Sequence, residues 1–524
     1  MTASDILNTL SQLERRKDRD NTQRVQLPLN GEHTLEAYPL SVRQLDGSYF
    51  VIGREGTEKY LCIVSPEGTQ EPAGKFVGET LALNGSGKAT LCPLSHENAE
   101  VLRQLFDFTR PVLIGVHNSY GLGDRLGLAN PGHLRAVRQL PMRPVLAQQS
   151  IRELERTQRT PDEVMDVASW AVFQEGYTEG FGADADHLKT TDDIDYMIRA
   201  GFTMFTFDPS DYVVNEADTL PADQLEAQVR DLPWEELEDT FEACLERYAG
   251  NTIEISDDFR IQPTREEVLR GLIKYGRVIA HATRMDRYLK ATYPDRPQEV
   301  ELSVDETESV TQPFEHFLVA NELSRRGVEL VSLAPRFVGD FEKGIDYKGD
   351  LDLFKTEYIK HLKISDKLGP YKISIHSGSD KFSVYHVIGS LHTGHVHVKT
   401  AGTSYLEALR TIAQERPDLF REILDYSRDL YPTEKRTYHV SADLDQVPRG
   451  SELGDAELVG LFEPEQVHAR QVLHVSFGRV LTDKDDQGNY LFRNRILQTL
   501  KEHEETHYHF LQKHFAKHFK PFIQ

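Results

Sequence analysis

Short apolar runs recur eight times between residues 112 and 399, and a helical pattern separates most of them. The runs lie at 112–116, 144–147, 182–186, 202–207, 301–305, 328–333, 372–376 and 395–399. Strands that alternate with crossover helices favour a parallel sheet, and eight such units close on themselves in a (β/α)8 barrel. We therefore predict an α/β fold with a TIM barrel at its centre.

The regions on either side of this pattern have a different character. Residues 1–108 contain short alternating runs broken by Gly and Asp, which predict a mostly-β accessory region before a barrel domain at 109–432. An acidic helical insertion at about 212–298 follows the fourth predicted strand and is far longer than an ordinary connection. We expect it to cover the barrel mouth as a lid, and we expect residues 433–524 to form a C-terminal helical extension.

Polar residues suited to proton transfer or metal binding follow the predicted strands. In a TIM barrel the carboxyl ends of the strands build the active site. Loop residues without such a role would be richer in Ser, Gly and Pro. The strand ends therefore predict an enzyme, and they carry the following residues: His117, Asn118, Gln148, Gln149, Asp186, His187, Asp208, Asp305, Glu306, Arg336, His376 and Lys399.

Charge and composition exclude several classes of partner. Lys and Arg number 60 against 84 Asp and Glu, and the formal charge of −24 repels nucleic acid and anionic membranes. The three cysteines are widely spaced and form no CxxC motif, which fits a reducing cytoplasm. No stretch approaches the roughly 18 apolar residues that a membrane span requires. We predict a cytoplasmic protein without nucleic-acid or membrane partners, and its oligomeric state stays open.

Two motifs point to other chemistries and are weak. His503 to His507 read HEETH, which matches the HExxH pattern of zinc peptidases, but Phe510 and Lys513 stand where the extended motif needs Gly and His. A zinc peptidase is therefore a remote alternative. The glycines from Gly121 to Gly127 echo a dinucleotide loop, but the next predicted strand ends in Gln148 and Gln149 and lacks the acidic residue that binds a ribose. A nicotinamide cofactor is thus disfavoured.

Several long motifs in a fixed order resemble those of one enzyme family. They are GVHNSYGLGDRLG at 115–127, AQQSIRE at 147–153, GADADHLK at 182–189, SIHSGSDKF at 374–382 and HVKTAGTSY at 397–405. Together they resemble the tagaturonate epimerase family over nearly the whole chain. The resemblance implies a divalent-metal-dependent enzyme of hexuronate catabolism that interconverts D-tagaturonate and D-fructuronate. Epimerisation of the parent ketohexoses, fructose and tagatose, stays open.

A metal of this kind needs two or three protein ligands and open positions for a chelating substrate. We predict His187, His376 and Glu342 as the ligands, with Glu342 reaching over the site from a long loop that is dense in Gly, charge and aromatic residues. Two imidazoles and one carboxylate suit Zn, Mn, Co or Ni better than an all-oxygen shell would.

The reaction itself sets the remaining roles. The two ketouronates differ at a carbon whose C–H the ketone does not acidify, so retro-aldol cleavage and direct proton exchange are both open. We predict Asp186 as the base and Glu306 as the acid, with Asp305 as a rival to Glu306 because alternation turns it inward. A ketose–aldose isomerase is the alternative. The predicted substrate-binding residues are His117, Asn118, Gln148, Arg336 and Lys399, the last two as anchors for the carboxylate.

Overall fold

The first part of the chain forms a β-sheet with a helix on each face. The computed structural model describes residues 1–69, 75–138, 140–392 and 394–523. Helix α1 (Ala3–Arg15) precedes a seven-stranded antiparallel sheet, and helix α2 (His96–Leu105) follows it. The strands are β1 (Val25–Pro28), β2 (Thr34–Ala37), β3 (Arg43–Leu45), β4 (Ser48–Glu55), β5 (Glu58–Pro66), β6 (Glu79–Ala82) and β7 (Gly87–Pro93).

Alternation along β4 explains how this sheet joins the rest of the molecule. Val51 packs in a cluster with Ile6 and Leu10 of α1, whereas Phe50 and Ile52 on the opposite face pack in a cluster that includes Trp170. Because successive side chains of a strand point to opposite faces, both faces of β4 are buried. The sheet is thereby attached to the flank of the following domain through the helix that carries Trp170.

Ten further strands follow, and eight of them close into a parallel barrel. They are β8 (Ser119–Leu122), β9 (Arg143–Ser150), β10 (Gly182–Leu188), β11 (Met204–Phe207), β12 (Ile253–Ser256), β13 (Phe259–Ile261), β14 (Glu299–Val304), β15 (Leu330–Pro335), β16 (Lys372–Ile375) and β17 (Val396–Thr400). The pair β12 and β13 forms a separate hairpin, and the other eight strands pair in chain order around the barrel. The predicted TIM barrel is confirmed.

Helices surround the barrel and fill both long segments outside it. They are α3 (Asn130–Val137), α4 (Ile151–Thr157), α5 (Pro161–Glu175), α6 (Thr191–Arg199), α7 (Ala222–Arg230), α8 (Phe241–Tyr248), α9 (Arg265–Thr292), α10 (Pro313–Arg325), α11 (Leu351–Leu368), α12 (Phe382–Gly389), α13 (Gly402–Glu415), α14 (Pro417–Glu434), α15 (Asp455–Gly460), α16 (Val467–Val475), α17 (Phe477–Thr482), α18 (Arg493–Glu502) and α19 (Glu504–Phe519). Among these helices, none has the length and apolar composition needed to cross a bilayer. The domain boundaries at 108 and 432 stay predictions.

The predicted first barrel strand at 112–116 is wrong, and the strand lies at Ser119–Leu122. The apolar run instead lies against the amino ends of the barrel strands, where Val112 N donates to Phe181 O and Gly115 N donates to a carboxylate oxygen of Glu299. Ile114 is buried near Gly182, whereas Val112 and Leu113 of the same run are exposed, so burial accounts for only part of its apolar character. The true strand contains Ser119 and Gly121 and gives little apolar signal.

This shift moves two predicted substrate-binding residues to the wrong end of the barrel. His117 is exposed and precedes β8. Val396 is the first residue of β17, and its backbone N donates a hydrogen bond of 2.9 Å to Oδ1 of Asn118. Both residues therefore lie at the amino end of the barrel, opposite the strand ends that build an active site.

The insertion after β11 is helical as predicted, but it is not the cover of the barrel mouth. It contains α7, α8, the β12–β13 hairpin and α9, which packs on α6 and α10. None of the described residues between 209 and 298 lines the cavity at the mouth. The loop after β15 and the C-terminal extension occupy that place.

Candidate active site

A cavity of about 390 Å³ opens at the carboxyl ends of the barrel strands. Three parts of the chain line it: the strand ends, the loop after β15, and the C-terminal extension. Many of its lining residues are ionisable, namely Arg125, Arg152, Glu153, Asp186, His187, Asp305, Glu306, Arg336, Lys343, His376, Lys399, Tyr438, His439 and His474. A mouth cavity with this chemistry is the expected active site of a TIM barrel.

Strand β10 brings two carboxylates and one imidazole into the barrel. Asp184 and Asp186 are buried, and Nδ1 of His187 lies 2.8 Å from Oδ1 of Asp186. Helix α6, which follows β10, is capped by Thr190 and Asp193. Thr190 Oγ1 accepts a hydrogen bond from Asp193 N at 3.2 Å, and the Asp193 carboxylate accepts one from Thr190 N at 2.9 Å. Thr190 and Asp193 thus form the helix cap, and Asp186 and His187 take no part in it.

His376 follows β16 and faces His187 across the cavity. The two ring centroids are 5.0 Å apart. Nε2 of His376 lies 2.8 Å from Oε1 of Glu301, and Nδ1 lies 3.0 Å from Oδ1 of Asp305. That Nδ1 atom is buried and makes no hydrogen bond, so the short contact with Asp305 lacks hydrogen-bond geometry. Nδ1 of His376 and the carboxylate of Asp305 therefore lie beside the His187 ring.

This cluster fits a divalent metal. One ligand atom from each of His187, Asp305 and His376 lies within 4.8 Å of the others. Each imidazole has its second nitrogen engaged by a buried carboxylate, Asp186 for His187 and Glu301 for His376. Carboxylates in that position orient metal-binding imidazoles and fix their tautomer. Nε2 of His187 and Nδ1 of His376 remain as the ligand atoms.

Glu342, the predicted third ligand, lies apart from this cluster. Its carboxylate accepts hydrogen bonds from Ser441 Oγ and Gln471 Nε2, each at 2.7 Å, and from Lys348 Nζ at 2.9 Å. Burial raises the pKa of Glu342, but these donors outweigh it and lower the pKa to about 2. The residue ties the loop after β15 to the C-terminal extension, and the carboxylate that lies beside His187 and His376 is that of Asp305.

Lys399 is buried at the centre of the barrel among carboxylates. Its Nζ lies 2.8 Å from Asp184, 2.7 Å from Asp186 and 2.7 Å from Glu301. Burial lowers the pKa of Lys399, but these three carboxylates raise it well above its ordinary value. The ammonium group is therefore fully engaged and is not free to anchor the carboxylate of a substrate.

The centre of the site retains excess negative charge despite Lys399. Burial lowers the pKa of both imidazoles, yet Asp186 raises the pKa of His187 to about 9 and Asp305 raises that of His376 to about 10. The carboxylates thus favour additional positive charge at the two rings. A metal ion placed there would supply it.

Other cationic groups lie closer to the mouth. Arg336 lines the cavity, and its guanidinium forms no ion pair or hydrogen bond within the described part of the chain. Lys343 donates to Ser377 Oγ at 2.6 Å, and Arg152 lies 4.0 Å from Glu306. Gln148 lines the cavity with its buried Oε1 unpartnered. Arg336 is the cation best placed to receive an anion.

Comparison with known proteins identifies the family. The sequence model of the tagaturonate epimerases matches residues 38–522. The chain belongs to the tagaturonate epimerase family. A Thermotoga maritima protein described as tagaturonate/fructuronate epimerase is 42% identical over 489 residues, which cover 92% of this chain and 96% of that protein. As a member of this family the chain is an enzyme, an isomerase of the epimerase type, and the resemblance seen in its sequence is confirmed.

Solved structures agree with this assignment. The native crystal structure of the fructuronate-tagaturonate epimerase from Cohnella laeviribosi matches with a TM-score of 0.86 and 38% identity, over 94% of this chain and 97% of that one. A glycerol complex of the same epimerase also matches with a TM-score of 0.86 and 38% identity, over 93% of this chain and 96% of that one. The N-terminal sheet and the C-terminal extension therefore lie within the span shared with these epimerases.

The C-terminal extension of this epimerase-family chain completes the cavity wall. Tyr438 and His474 line the cavity, and a Cβ atom at Gly402 would lie only 1.8 Å from the His474 ring. Arg470 of α16 and His514 of α19 both bind the carboxylate of Asp380, which follows the cavity residue Ser379. The extension thus holds the loop after β16 as well as forming part of the wall.

Sequence reasoning missed several of these residues. Glu301 had a detectable signal, because it lies four positions before Asp305 on the same inward face of β14. Lys343 lies in a loop without periodicity, and Tyr438 and His474 come from a segment that no barrel rule connects to the mouth. Only the folded chain shows that these three residues face the same cavity.

The HExxH motif of this epimerase-family chain has a structural role. His503 separates α18 from α19 with φ −116° and ψ 40°, so the two histidines do not share one continuous helix. Glu504 is paired with Arg24, Arg54 and Lys59, which bind the N-terminal sheet to α19. A zinc peptidase site of this pattern needs both histidines on one helix face, which contradicts the remote alternative.

Proposed function

We propose that this chain is a divalent-metal-dependent epimerase that interconverts D-tagaturonate and D-fructuronate in hexuronate catabolism. The observation that carries the proposal is the cluster of His187, Asp305 and His376 at the barrel mouth. The description of the Thermotoga maritima relative as a tagaturonate/fructuronate epimerase supports the substrate pair. The cytoplasm stays the predicted compartment, and small ketouronates are the proposed partners.

The metal would be held by Nε2 of His187, Nδ1 of His376 and a carboxylate oxygen of Asp305. Nitrogen and oxygen donors in this combination suit Zn, Mn, Co or Ni. When bound there, a divalent cation would supply Lewis acidity toward a ketone and a neighbouring hydroxyl. Asp186 and Glu301 would each orient one of the two imidazoles, a role that Asp186 combines with the proton transfer proposed below.

Arg336 and Gln148 are proposed to position the substrate. The guanidinium of Arg336, which has no ion pair or hydrogen bond among the described residues, can receive a carboxylate through two parallel hydrogen bonds. Gln148 lines the cavity, and its side-chain amide would bind a substrate hydroxyl there, although its Oε1 is buried against Gly121 and would have to turn to accept a hydrogen bond. Lys343 also lines the cavity, and its hydrogen bond to Ser377 fixes its ammonium group near the same space.

Asp186 and Glu306 are proposed to handle the proton in a retro-aldol reaction. Asp186 takes the proton of the hydroxyl on the carbon to be inverted, and the carbon–carbon bond toward the ketone breaks to give an aldehyde and an enediolate. After the aldehyde rotates, the bond forms again on its other face and Glu306 protonates the new alkoxide. Burial raises the pKa of Asp186, but His187 and Lys399 lower it well below its usual range, so Asp186 is ionised although weakly basic.

Substitution of the two carboxylates separates their roles. We expect Asp186→Asn to lower both kcat and metal affinity, the latter by about 10- to 100-fold, because Asp186 also orients His187. We expect Glu306→Gln to lower kcat by about 100-fold or more with metal content unchanged, since Glu306 contacts no imidazole of the cluster. Metal analysis alongside steady-state kinetics measures both effects. Full activity of Glu306→Gln would assign the second acid/base role to another group.

The function itself is tested by incubating the protein with fructuronate in deuterated water. Products are read by NMR after treatment with a chelator and after addition of a divalent metal. We expect metal-dependent formation of tagaturonate without carbon-bound deuterium, since the retro-aldol route transfers only a hydroxyl proton. Deuterium at the inverted carbon would indicate direct proton exchange, an aldose product would indicate a ketose–aldose isomerase, and no product with any metal would reject the proposal.

A further inference from the structure

A second cavity, of about 480 Å³, lies where three parts of the chain meet. Its walls come from the β4–β5 turn and the end of β7 in the N-terminal sheet, from α5 and the loop before α3 in the barrel, and from α18 and α19 in the C-terminal extension. None of the residues proposed for metal binding, proton transfer or substrate binding lines it. The proposed epimerase reaction therefore gives this cavity no role.

The floor of this second cavity is polar but internally satisfied. Lys59 Nζ lies 2.8 Å from Glu504 Oε2 and donates to Gln174 Oε1 at 2.8 Å. The Tyr508 hydroxyl donates to Glu504 at 3.3 Å. Glu504 also forms ion pairs with Arg24 and Arg54, so its negative charge is fully compensated. A charged ligand would find no free counter-ion on this floor.

The walls above the floor are mostly apolar and include an aromatic ring. Trp170 and Leu500 are buried, and Leu128 and Val167 are half-buried. At the rim, Lys501 and Glu58 form an exposed ion pair at 2.8 Å. An apolar cavity of a few hundred cubic ångströms with a few convergent polar groups is the usual form of a small-molecule site.

We propose that this second cavity is an effector site for a neutral aromatic compound of one to three rings. The ring of Trp170 and the aliphatic wall favour an aromatic body. The satisfied floor disfavours a charged one, because a buried charge without a partner carries a large desolvation penalty. Tyr508 and Gln174 are already engaged by Glu504, Lys59 and Glu175, so the preference for the ligand comes from its apolar ring surface.

One short loop connects the two cavities. Leu128 lines the effector cavity, and Arg125, three residues earlier, lines the active-site cavity. The Asp124 carboxylate holds the loop between them as one unit, since it accepts from Gly127 N at 2.8 Å and from Ala129 N at 2.7 Å. A ligand that moves Leu128 would therefore move Arg125, which pairs with the active-site residue Glu153 at 2.8 Å.

Binding is tested with two probes that share a skeleton, neutral N-phenyl-1-naphthylamine and its charged counterpart 8-anilinonaphthalene-1-sulfonate. The chain has two tryptophans, Trp170 and Trp234, so energy transfer to the probe can be assigned to one of them. Because energy transfer falls off steeply with distance, we expect strong transfer in the Trp234→Phe protein, where Trp170 is the donor, and much weaker transfer in the Trp170→Phe protein. We expect the neutral probe to bind at least about tenfold more tightly than the sulfonate.

A filling variant tests the location independently. Val167→Phe places a ring in the effector cavity, and Val77→Phe makes the same change at an exposed position outside it. We expect Val167→Phe to weaken probe binding at least about tenfold and Val77→Phe to leave it unchanged. Equal probe binding by the two variants, or energy transfer from Trp170 that is no stronger than that from Trp234, would overturn the site.

The effector role is measured on the active enzyme, and only this arm rests on the proposed function. We expect saturating N-phenyl-1-naphthylamine to change KM for fructuronate at least about threefold in the wild-type chain and not in Val167→Phe. Probe binding without any change in KM would refute the effector role. An inactive protein that still binds the probe would count against the proposed function while the binding site stands.

Discussion

Replacing Asp305 with alanine is expected to lower kcat/KM for fructuronate by about a thousandfold, because a catalytic metal stabilises a transition state by several kcal/mol and each ~1.4 kcal/mol is a factor of ten. Asp305 supplies the only carboxylate among the three clustered ligand groups of the described site. Its loss should therefore also remove bound metal. Kinetics with added metal and metal analysis of the purified variant measure the two effects.

Glu342→Gln is the matched control for this change. The sequence favours Glu342 as the carboxylate ligand, whereas its side chain binds Ser441, Gln471 and Lys348 in the structure. We expect Glu342→Gln to retain metal and to lose only as much activity as a loosened loop causes. If the Glu342→Gln protein loses its metal and the Asp305→Ala protein keeps it, the metal ligands are His187, His376 and Glu342.

Replacing Arg336 with methionine is expected to lower kcat/KM for fructuronate by about 10- to 100-fold, since a charge-assisted hydrogen bond contributes about 1.5–3 kcal/mol. The loss should appear mainly in KM, because a substrate carboxylate remote from the reacting carbons is bound equally in the ground and transition states. Initial rates over a range of fructuronate concentrations separate the two constants.

Two further variants control this prediction. Arg336→Lys keeps the charge but not the paired donors, so we expect an intermediate loss. Arg152→Met removes a cation from the same cavity, but Arg152 lies 4.0 Å from Glu306 and is already partly compensated. An equal loss for Arg152→Met and Arg336→Met would mean that the cavity attracts the anion through its general field and not through one residue.

Much of the barrel could be predicted from the sequence because its strands carry a strong periodic signal. On β16 and β17, apolar side chains alternate with Ser374, His376, His397 and Lys399, which turns the polar set inward. The rule that strand ends build the active site then selected His187 and His376, and both line the cavity.

The errors have a common physical origin in tertiary contacts that leave no local pattern. The apolar run at 112–116 has the composition of a strand, yet it lies against the amino ends of other strands. Glu342 has the loop position of a ligand, but its partners Ser441 and Gln471 lie about a hundred residues further along the chain. Neither outcome follows from propensity or spacing, because both depend on where a distant segment docks.

The contact between α19 and the loop beside the active-site cavity has a consequence for folding during translation. His514 binds Asp380, which follows the cavity residue Ser379, and α19 also packs on α3 of the barrel. During translation the barrel strands leave the ribosome well before residue 514, and domains generally fold in that order. A nascent chain can therefore form its barrel early, but the wall of its active-site cavity is complete only after α19 has left the ribosome.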